Sequence, residues 1–393
     1  MFKKLDEILG IKNSKKDFEN AEQKLSLAPG QFKYYVENNI LPSVSELISI
    51  QKVFGVSPSD LKIQMGKSDL NLRLRLSGIE SGINMTEKEC ELKLQTEYGK
   101  LYQGDCLALL KSLPDNSIDL IFADPPFNLN KSYKSDINDN LSGWNYLKWC
   151  EDWLEQCIRV LKFHGSLYVW NLPKWNTYIS SFLNDRLTFK NWIATDIKFS
   201  LPISGRLYPS HYSLLYYIKG DKPKTFKPDR LPLEVCRKCF SEIKDYGGYK
   251  SKLNKAGMNI SDIWTDIPPV RHRSLKRREG ANELSVKLLD RVIQMSSTEN
   301  DIIFDPFGGS GTTYAVAEIK KRKWIGVELG PVDEIIQRFE NLEQDAELIR
   351  KYRENLNHLF PKQIKIKRKK SGLWTDETFS KIVQLPTNGE DLR

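Results

Sequence analysis

The hydrophobic pattern in the middle of the chain alternates between short apolar runs and longer amphipathic stretches. The run 118–123 is almost wholly apolar, which is typical of a buried parallel strand. The stretch 147–161 repeats apolar residues at helical spacing, and we expect Gly165 to end that helix before a strand over 166–170. The alternation continues with a helix at 286–293, a strand at 302–304, a helix from about Thr312 and a strand at 324–327. This order predicts an α/β sheet with crossover connections.

The first 66 residues follow a helical pattern throughout. Ser43, with Glu46 three residues later, has the spacing of a capping box at the start of a helix. Helix, short glycine-containing turn and helix is the layout of a helix-turn-helix, and the segments 42–47 and 54–57 resemble those of phage-repressor-like regulators. An all-helical bundle that only packs or dimerises would give the same pattern. Residues 67–96 are polar and weakly periodic, so we predict a linker there.

Composition and charge narrow the class of protein. No apolar run approaches the roughly 20 residues that would span a bilayer, the charged start is unlike a signal peptide, and six scattered cysteines indicate no disulfide framework. We therefore expect a cytoplasmic protein without membrane contact. The formal net charge is +9, and basic residues cluster in two places. These clusters, which fit contacts with DNA phosphates, comprise Arg271, Arg273, Lys276, Arg277 and Arg278, and then Lys362, Lys365, Lys367, Arg368, Lys369 and Lys370.

A glycine-rich segment, Asp-Pro-Phe-Gly-Gly-Ser-Gly-Thr-Thr at 305–313, lies between a predicted strand and a predicted helix. Its glycines allow the backbone to turn sharply and to approach a ligand closely. Glu328 ends the next strand about 20 residues later, where an acidic side chain accepts hydrogen bonds from ribose hydroxyls. The segment lacks the Gly-Lys-Ser/Thr ending of a phosphate loop, and Asp305 would repel phosphate. An acidic residue instead suits S-adenosylmethionine, which carries an ammonium group and a sulfonium.

A second motif, Asp124-Pro125-Pro126-Phe127, follows the apolar run that ends at Ala123. The two prolines stiffen the turn and supply no backbone N–H, so carbonyl groups and one carboxylate are left as acceptors at the end of a strand. Asp124 and the Pro125 carbonyl can accept both hydrogens of an exocyclic base amine. Phe127 can stack on a base that has been flipped out of a duplex. Taken alone, a Pro-Pro turn after a strand is also an ordinary structural feature.

Together the two motifs closely resemble those of the beta-class amino-methylating DNA methyltransferases, in which the catalytic motif precedes the cofactor motif. The resemblance also includes 102–106 and 161–167. It implies a Rossmann-like α/β methyltransferase fold, S-adenosylmethionine as cofactor and double-stranded DNA as partner. The predicted organisation is a helical domain at 1–66, a linker at 67–96, a methyltransferase domain at 97–345 with a target-recognition insertion at 219–281, and a basic C-terminal extension at 346–393.

The resemblance also implies roles for individual residues. Asp105 would contact the cofactor's adenine and Glu328 its ribose. In many relatives Lys-Pro stands where this chain has Leu284-Ser285, so the lysine contact to the methionine carboxylate does not carry over, and Asn282 or Ser285 are the polar substitutes nearby. The catalytic set is Asp124, Pro125, Pro126 and Phe127. The set that would hold the methionine part of the cofactor is Asp305, Phe307, Gly308, Gly309, Ser310, Gly311 and Thr312.

The predicted reaction is methyl transfer to N6 of adenine at a defined site in duplex DNA. Asp124 favours adenine because the family pairs Asp at this position mainly with adenine, whereas N4-cytosine methylation, usually with Ser, is the alternative. A DNA-binding regulator whose second domain only senses the cofactor is an alternative of another class. The prediction admits a homodimer and a cognate restriction endonuclease as further partners. No metal is expected, since Cys236 and Cys239 have the spacing of only half a zinc site.

Overall fold

The computed structural model describes residues 2–67, 89–128, 141, 143–196, 204–205, 207–244, 253–268 and 283–379. Contacts along the chain define two compact units. The first combines Met1–Phe226 with Asp262–Leu342, and the second combines Lys227–Ser261 with the chain from Glu343 onward. Within the described residues, no helix is long and apolar enough to cross a membrane.

The first unit begins with short helices that share one apolar core. Their bounds are α1 Leu5–Leu9, α2 Lys15–Leu25, α3 Gln31–Glu37, α4 Val44–Phe54 and α5 Pro58–Gln64. The predicted capping box is confirmed, because the backbone N–H of Ser43 donates to Glu46 Oε2 at 2.7 Å at the start of α4. On α3, five of the seven residues are buried, among them Phe32 and Tyr35. The helix-turn-helix assignment itself stays a prediction.

The rest of the chain alternates strands and helices. The strands are β1 Glu91–Gln95, β2 Gly99–Gln103, β3 Ile118–Ala123, β4 Leu161–Asn171, β5 Thr188–Asp196, β6 His211–Ile218, β7 Arg230–Leu231, β8 Met258–Asn259, β9 Ile263–Trp264, β10 Ile302–Asp305 and β11 Lys323–Glu328. The helices are α6 Cys106–Ser112, α7 Gly143–Val160, α8 Pro173–Asn184, α9 Val286–Ser296, α10 Thr312–Ile319, α11 Asp333–Glu340, α12 Leu342–Arg353 and α13 Lys362–Lys370.

A mixed sheet organises the first unit. Within the described residues its nine strands have the order β1-β2-β11-β10-β3-β4-β6-β5-β9. From β2 through β4 all neighbours run parallel, whereas β1, β6 and β5 add antiparallel pairs. The α/β sheet with crossover connections that the alternating pattern predicted is confirmed.

Two local predictions need correction. Helix α7 ends at Val160 rather than at Gly165, because Leu161 already pairs with Ile118 of β3. Gly165 instead permits a close approach inside β4, since a Cβ there would lie 2.8 Å from Leu161 Cδ1. The predicted linker 67–96 contains β1, whose mostly exposed residues at the sheet edge leave no hydrophobic signal.

The N-terminal helices are joined to the sheet by polar contacts that are largely buried. Glu46 accepts hydrogen bonds from Gln31 Nε2 at 2.7 Å and from the Tyr35 hydroxyl at 2.8 Å, and it lies 3.7 Å from Lys219 Nζ. Lys219 follows β6, is fully buried, and also donates to the Ile158 carbonyl at 3.1 Å. The charge of Lys219 is therefore satisfied partly by the helical segment.

The second unit is built from two segments that are far apart in sequence. The backbone N–H of Leu233 donates to the Leu359 carbonyl at 2.9 Å, and both side chains pack with Phe360 in a small core. The structure thus divides the chain differently from the predicted organisation. Both ends of the predicted insertion, 219–226 and the part from Asp262 onward, belong to the first unit, and the chain from Glu343 onward belongs with 227–261 to the second.

We predict that Glu46→Ala lowers the free energy of unfolding of the first unit by about 3–5 kcal/mol, because removing one partner of a buried ion pair leaves the other charge uncompensated. Urea denaturation followed by tryptophan fluorescence measures the change. Glu37→Ala is the control, since Glu37 pairs with Lys33 at 3.6 Å on an exposed helix surface, where about 0.5 kcal/mol is expected. Equal losses in the two variants would contradict the prediction.

Candidate active site

Four acidic residues lie where four neighbouring strands of the sheet end. Asp105 follows β2, Glu328 ends β11, Asp305 ends β10 and Asp124 follows β3. These strands are adjacent and parallel, in the order β2-β11-β10-β3. Because the carboxyl ends of parallel strands share one edge, the structure brings together the predicted cofactor and catalytic residues.

The glycine-rich turn leads from β10 into α10. Gly309 and Gly311 have φ angles of 54° and 73°, which side chains other than glycine rarely adopt. A Cβ at Gly311 would also lie 2.7 Å from Ile335 Cγ2 on α11. The helix begins at Thr312, as predicted. The turn therefore favours glycine at both positions for conformation, and at Gly311 also for space.

Glu328 fixes this turn from the neighbouring strand. One carboxylate oxygen accepts from the Gly309 backbone N–H at 2.8 Å, and the other accepts from the Gly330 N–H at 2.9 Å. The side chain is buried. The two amides therefore hold the carboxylate in place beside the turn.

Asp305 is the most deeply buried of the four acids. Its side chain is 3% exposed, and Oδ1 accepts from the Phe307 backbone N–H at 2.9 Å. Burial raises the pKa of the Asp305 carboxyl to about 7, and the nearby charge of Glu328 adds to the rise. A cationic ligand group beside Asp305 would restore its ionised form, which is the chemistry an ammonium or sulfonium supplies.

The remaining predicted cofactor residues have mainly supporting contacts. Asp105 caps α6 by accepting from the Leu107 N–H at 2.7 Å. The ring of Phe307 packs against Trp149 and Trp153, with centroid distances of 5.6 and 5.2 Å. Phe307 is therefore an apolar anchor for the turn, while its backbone N–H orients Asp305.

Arg338 is a site residue that the sequence analysis missed. Its buried guanidinium donates to the Ser310 carbonyl at 3.0 Å, to Thr312 Oγ1 at 2.8 Å and to Glu283 Oε1 at 3.3 Å. It lies on α11, beyond both motifs, three residues after the buried Ile335. An arginine on the apolar face of an amphipathic helix was the available signal.

The Asp124–Phe127 turn follows β3 directly, next to β10. The ring of Phe127 is only 6% exposed and lies against Tyr212, with centroids 5.7 Å apart. Tyr212 in turn lies 5.1 Å from the ring of Trp170. Phe127 therefore has little exposed surface for the predicted stacking of a flipped base.

Comparison with known proteins identifies the family. A family model for DNA methylases of the N6/N4 type matches residues 118–337. The type II methyltransferase M.BamHI of Bacillus amyloliquefaciens is 49% identical over 359 residues, covering 88% of this chain and 85% of that protein. The chain belongs to this DNA methylase family. It is a site-specific DNA methyltransferase that uses S-adenosylmethionine.

This DNA methylase is also similar to a DNA adenine methyltransferase and to a DNA methyltransferase of known structure. The DNA adenine methyltransferase YhdJ of Escherichia coli (strain K12) is 32% identical over 249 residues, covering 61% of this chain and 82% of that protein. Among solved structures, the PvuII DNA methyltransferase (cytosine-N4-specific) is 22% identical with a TM-score of 0.46, and the match covers 65% of this chain and 93% of that one.

The methylase's predicted DNA-contacting residues fall into two groups. Arg271, Arg273, Lys276, Arg277 and Arg278 lie outside the described residues, as does Asn282. On α13, Lys367 and Lys369 are exposed, and Lys369 pairs with Glu377. Arg368 corrects the prediction because its guanidinium is buried, stacks over the Phe360 ring at 4.4 Å and donates to the Trp374 carbonyl at 2.9 Å.

One further polar candidate of the methylase has a structural contact. Ser285, one of the substitutes for the family lysine, is buried and caps α9 by accepting from the Lys287 N–H at 3.2 Å.

Among the described residues, no three His, Cys, Asp or Glu side chains are grouped to hold a metal ion.

We predict that the affinity of the methylase for S-adenosylmethionine falls about tenfold between pH 8 and pH 6. Asp305 is ionised above its pKa of about 7 and neutral below it, so attraction for the ligand's cationic groups is lost as the pH falls. Isothermal calorimetry at several pH values measures the change. Asp305→Asn should bind more weakly at pH 8 and show no dependence between these values. A flat profile in the unmodified protein would contradict the assignment.

We also predict that Glu328→Ala weakens S-adenosylmethionine binding by roughly 1–3 kcal/mol, the cost of leaving buried hydrogen-bonding groups unpaired. The Gly309 and Gly330 amides lose their acceptor in this variant. Glu318→Ala is the control, because Glu318 accepts from Trp324 Nε1 at 2.6 Å, at the far end of α10 from the turn. Unchanged affinity in folded Glu328→Ala would remove Glu328 from the cofactor site.

Proposed function

We propose that the chain methylates N6 of adenine, flipped out of duplex DNA, at a short defined sequence. The observation that carries the proposal is the position of Asp124 at the end of β3, directly beside β10 and its buried Asp305. A site for the methyl donor and a set of acceptors for an amine thus lie on adjacent strands.

The proposed chemistry uses few side chains. An exocyclic base amine is a poor nucleophile because its lone pair is delocalised into the ring. When bound, S-adenosylmethionine supplies an electrophilic methyl group. Asp124 and the Pro125 carbonyl accept hydrogen bonds from the two N–H groups of the amine. These hydrogen bonds favour a pyramidal nitrogen whose lone pair points at the methyl group. Holding the two reactants in line contributes much of the remaining rate enhancement.

The proposed cofactor contacts follow from the same edge of the sheet. The Asp305 carboxylate pairs with the methionine ammonium, and the Gly308–Thr312 turn surrounds the methionine part. Glu328, whose oxygens are already fixed by two amides, accepts from the ribose hydroxyls. Asp105 follows β2, which lies two strands from β10 in the sheet order. It contacts the adenine ring of the cofactor.

We propose that DNA phosphates are bound by the exposed Lys367 and Lys369 and by the cluster at 271–278. Arg368 is excluded from this set because it is buried. A cognate restriction endonuclease is proposed as a functional partner, since the relatives M.BamHI and M.HpaI are named type II methyltransferases. A homodimer and a cytoplasmic location, where the DNA substrate lies, complete the proposal.

N4 of cytosine is the second candidate target. Cytosine presents an exocyclic NH₂ beside a ring nitrogen, as adenine does, so Asp124 and Pro125 can accept its hydrogens in the same way. The carboxylate at Asp124 favours adenine through the family's usual pairing. A regulator that only senses the cofactor is disfavoured because the Asp124–Phe127 turn is intact beside β10.

We predict that Asp124→Ala abolishes methylation while leaving the fold and S-adenosylmethionine binding in place, because only an acceptor at the reacting nitrogen is removed. Mass spectrometry of nucleosides from treated duplex DNA identifies the product, and calorimetry and thermal melting serve as controls. N6-methyladenine is the expected product. N4-methylcytosine as the sole product would overturn the choice of adenine, and normal turnover of Asp124→Ala would overturn the mechanism.

A further inference from the structure

The Asp124–Phe127 turn has few backbone hydrogen-bond donors of its own. Pro125 and Pro126 have no N–H groups, so this part of the turn makes no hydrogen bonds as a donor. Its carbonyl groups are instead bound by side chains from elsewhere in the first unit. The Tyr146 hydroxyl donates to the Pro126 carbonyl at 2.7 Å, and Trp175 Nε1 donates to the Phe127 carbonyl at 2.8 Å.

Both donors are themselves rigidly placed. Tyr146 on α7 and Trp175 on α8 are buried, and their ring centroids are 4.7 Å apart. Asn171, at the end of β4 and fully buried, donates through Nδ2 to the Tyr146 oxygen at 2.9 Å. Because the hydroxyl oxygen accepts from Asn171, its single proton is directed to Pro126.

We propose that Tyr146, oriented by Asn171, and Trp175 are positioning residues for methyl transfer, an inference that rests on the proposed function. By occupying the carbonyls of Pro126 and Phe127, they fix the turn so that the Asp124 carboxylate and the Pro125 carbonyl remain directed at the target amine. Neither aromatic residue touches the reacting atoms.

This role differs from simple stabilisation in its effect on rate. A buried tyrosine hydroxyl that loses its partner lowers stability wherever it lies in the fold. A turn displaced by a fraction of an ångström, however, misaligns the nucleophile, and a misplacement of about 1 Å can cost on the order of a hundredfold in rate. The chain offers a matched comparison in Tyr168 on β4, a buried tyrosine whose hydroxyl lies 2.7 Å from Ser296 Oγ.

The experiment compares Tyr146→Phe, Trp175→Phe and Tyr168→Phe in the full chain. For each variant we would measure the single-turnover methylation rate at saturating DNA and S-adenosylmethionine, the affinity for S-adenosylmethionine, and the melting temperature. We expect the first two variants to lose about tenfold to a hundredfold in rate with unchanged cofactor affinity. Tyr168→Phe should show a similar drop in melting temperature with the rate of the unmodified protein.

Two results would overturn the proposal: unmodified rates in both Tyr146→Phe and Trp175→Phe, or a rate loss in Tyr168→Phe of the same size. Trp175→Phe keeps the test decisive if Tyr146→Phe does not fold. Asp124→Ala is measured alongside to separate the two hypotheses. An inactive Asp124→Ala together with fully active Tyr146→Phe and Trp175→Phe would defeat the positioning role alone, whereas an active Asp124→Ala would defeat the proposed function.

Discussion

The carboxyl ends of β2, β11, β10 and β3 meet at one edge of the sheet, and the site depends on this pairing because it gathers acidic side chains from distant parts of the sequence. Asp305 and Glu328 lie on adjacent strands and both are buried. Burial of the Asp305 carboxyl is the main reason that its pKa is raised, and the nearby charge of Glu328 adds to the rise. The two acids therefore favour a cationic ligand at this edge. Binding of a ligand with ammonium and sulfonium groups should stabilise the folded protein.

The turns around this edge are held by hydrogen bonds with buried side chains. Glu328 accepts a hydrogen bond from the Gly309 amide, and Arg338 donates to oxygens of Ser310 and Thr312. Tyr146 donates to a carbonyl of the Pro-Pro turn. Each is buried. The two turns at this edge are thus kept in place by side chains that come from separate helices and strands.

The sequence predicted the parts of the site that are encoded locally. A strand, a tight turn and a helix follow one another within a few residues at both motifs, so Asp124 and Asp305 could be located from pattern alone. The roles of Arg338, Tyr146 and Trp175 could not, because their partners are oxygens of residues distant in the sequence that only folding brings near. The local pattern did not link the two motifs to methyl transfer to DNA; the resemblance to a known family did.

Surface and edge features were predicted least well, for related reasons. Arg368 lies within a run of basic residues that indicates a solvated surface, yet its helix turns that one position toward Phe360 and Trp374. Strand β1 is mostly exposed, so its side chains carry little of the alternation that marks a half-buried strand. The core of the second unit joins segments too far apart in sequence for any local pattern to connect them.

That second unit has a consequence for the order in which the protein acquires its structure. Leu233 leaves the ribosome well before its partners Leu359 and Phe360, since all of 262–342 is made in between. At about 5–20 residues per second the delay is on the order of ten seconds. During that interval the apolar side chains of 227–261 cannot pack against Leu359 and Phe360, which have not yet been made. The strands of the first unit are completed in the same interval. The nascent chain therefore contains every described strand of the first unit's sheet before it contains both segments of the second unit's core.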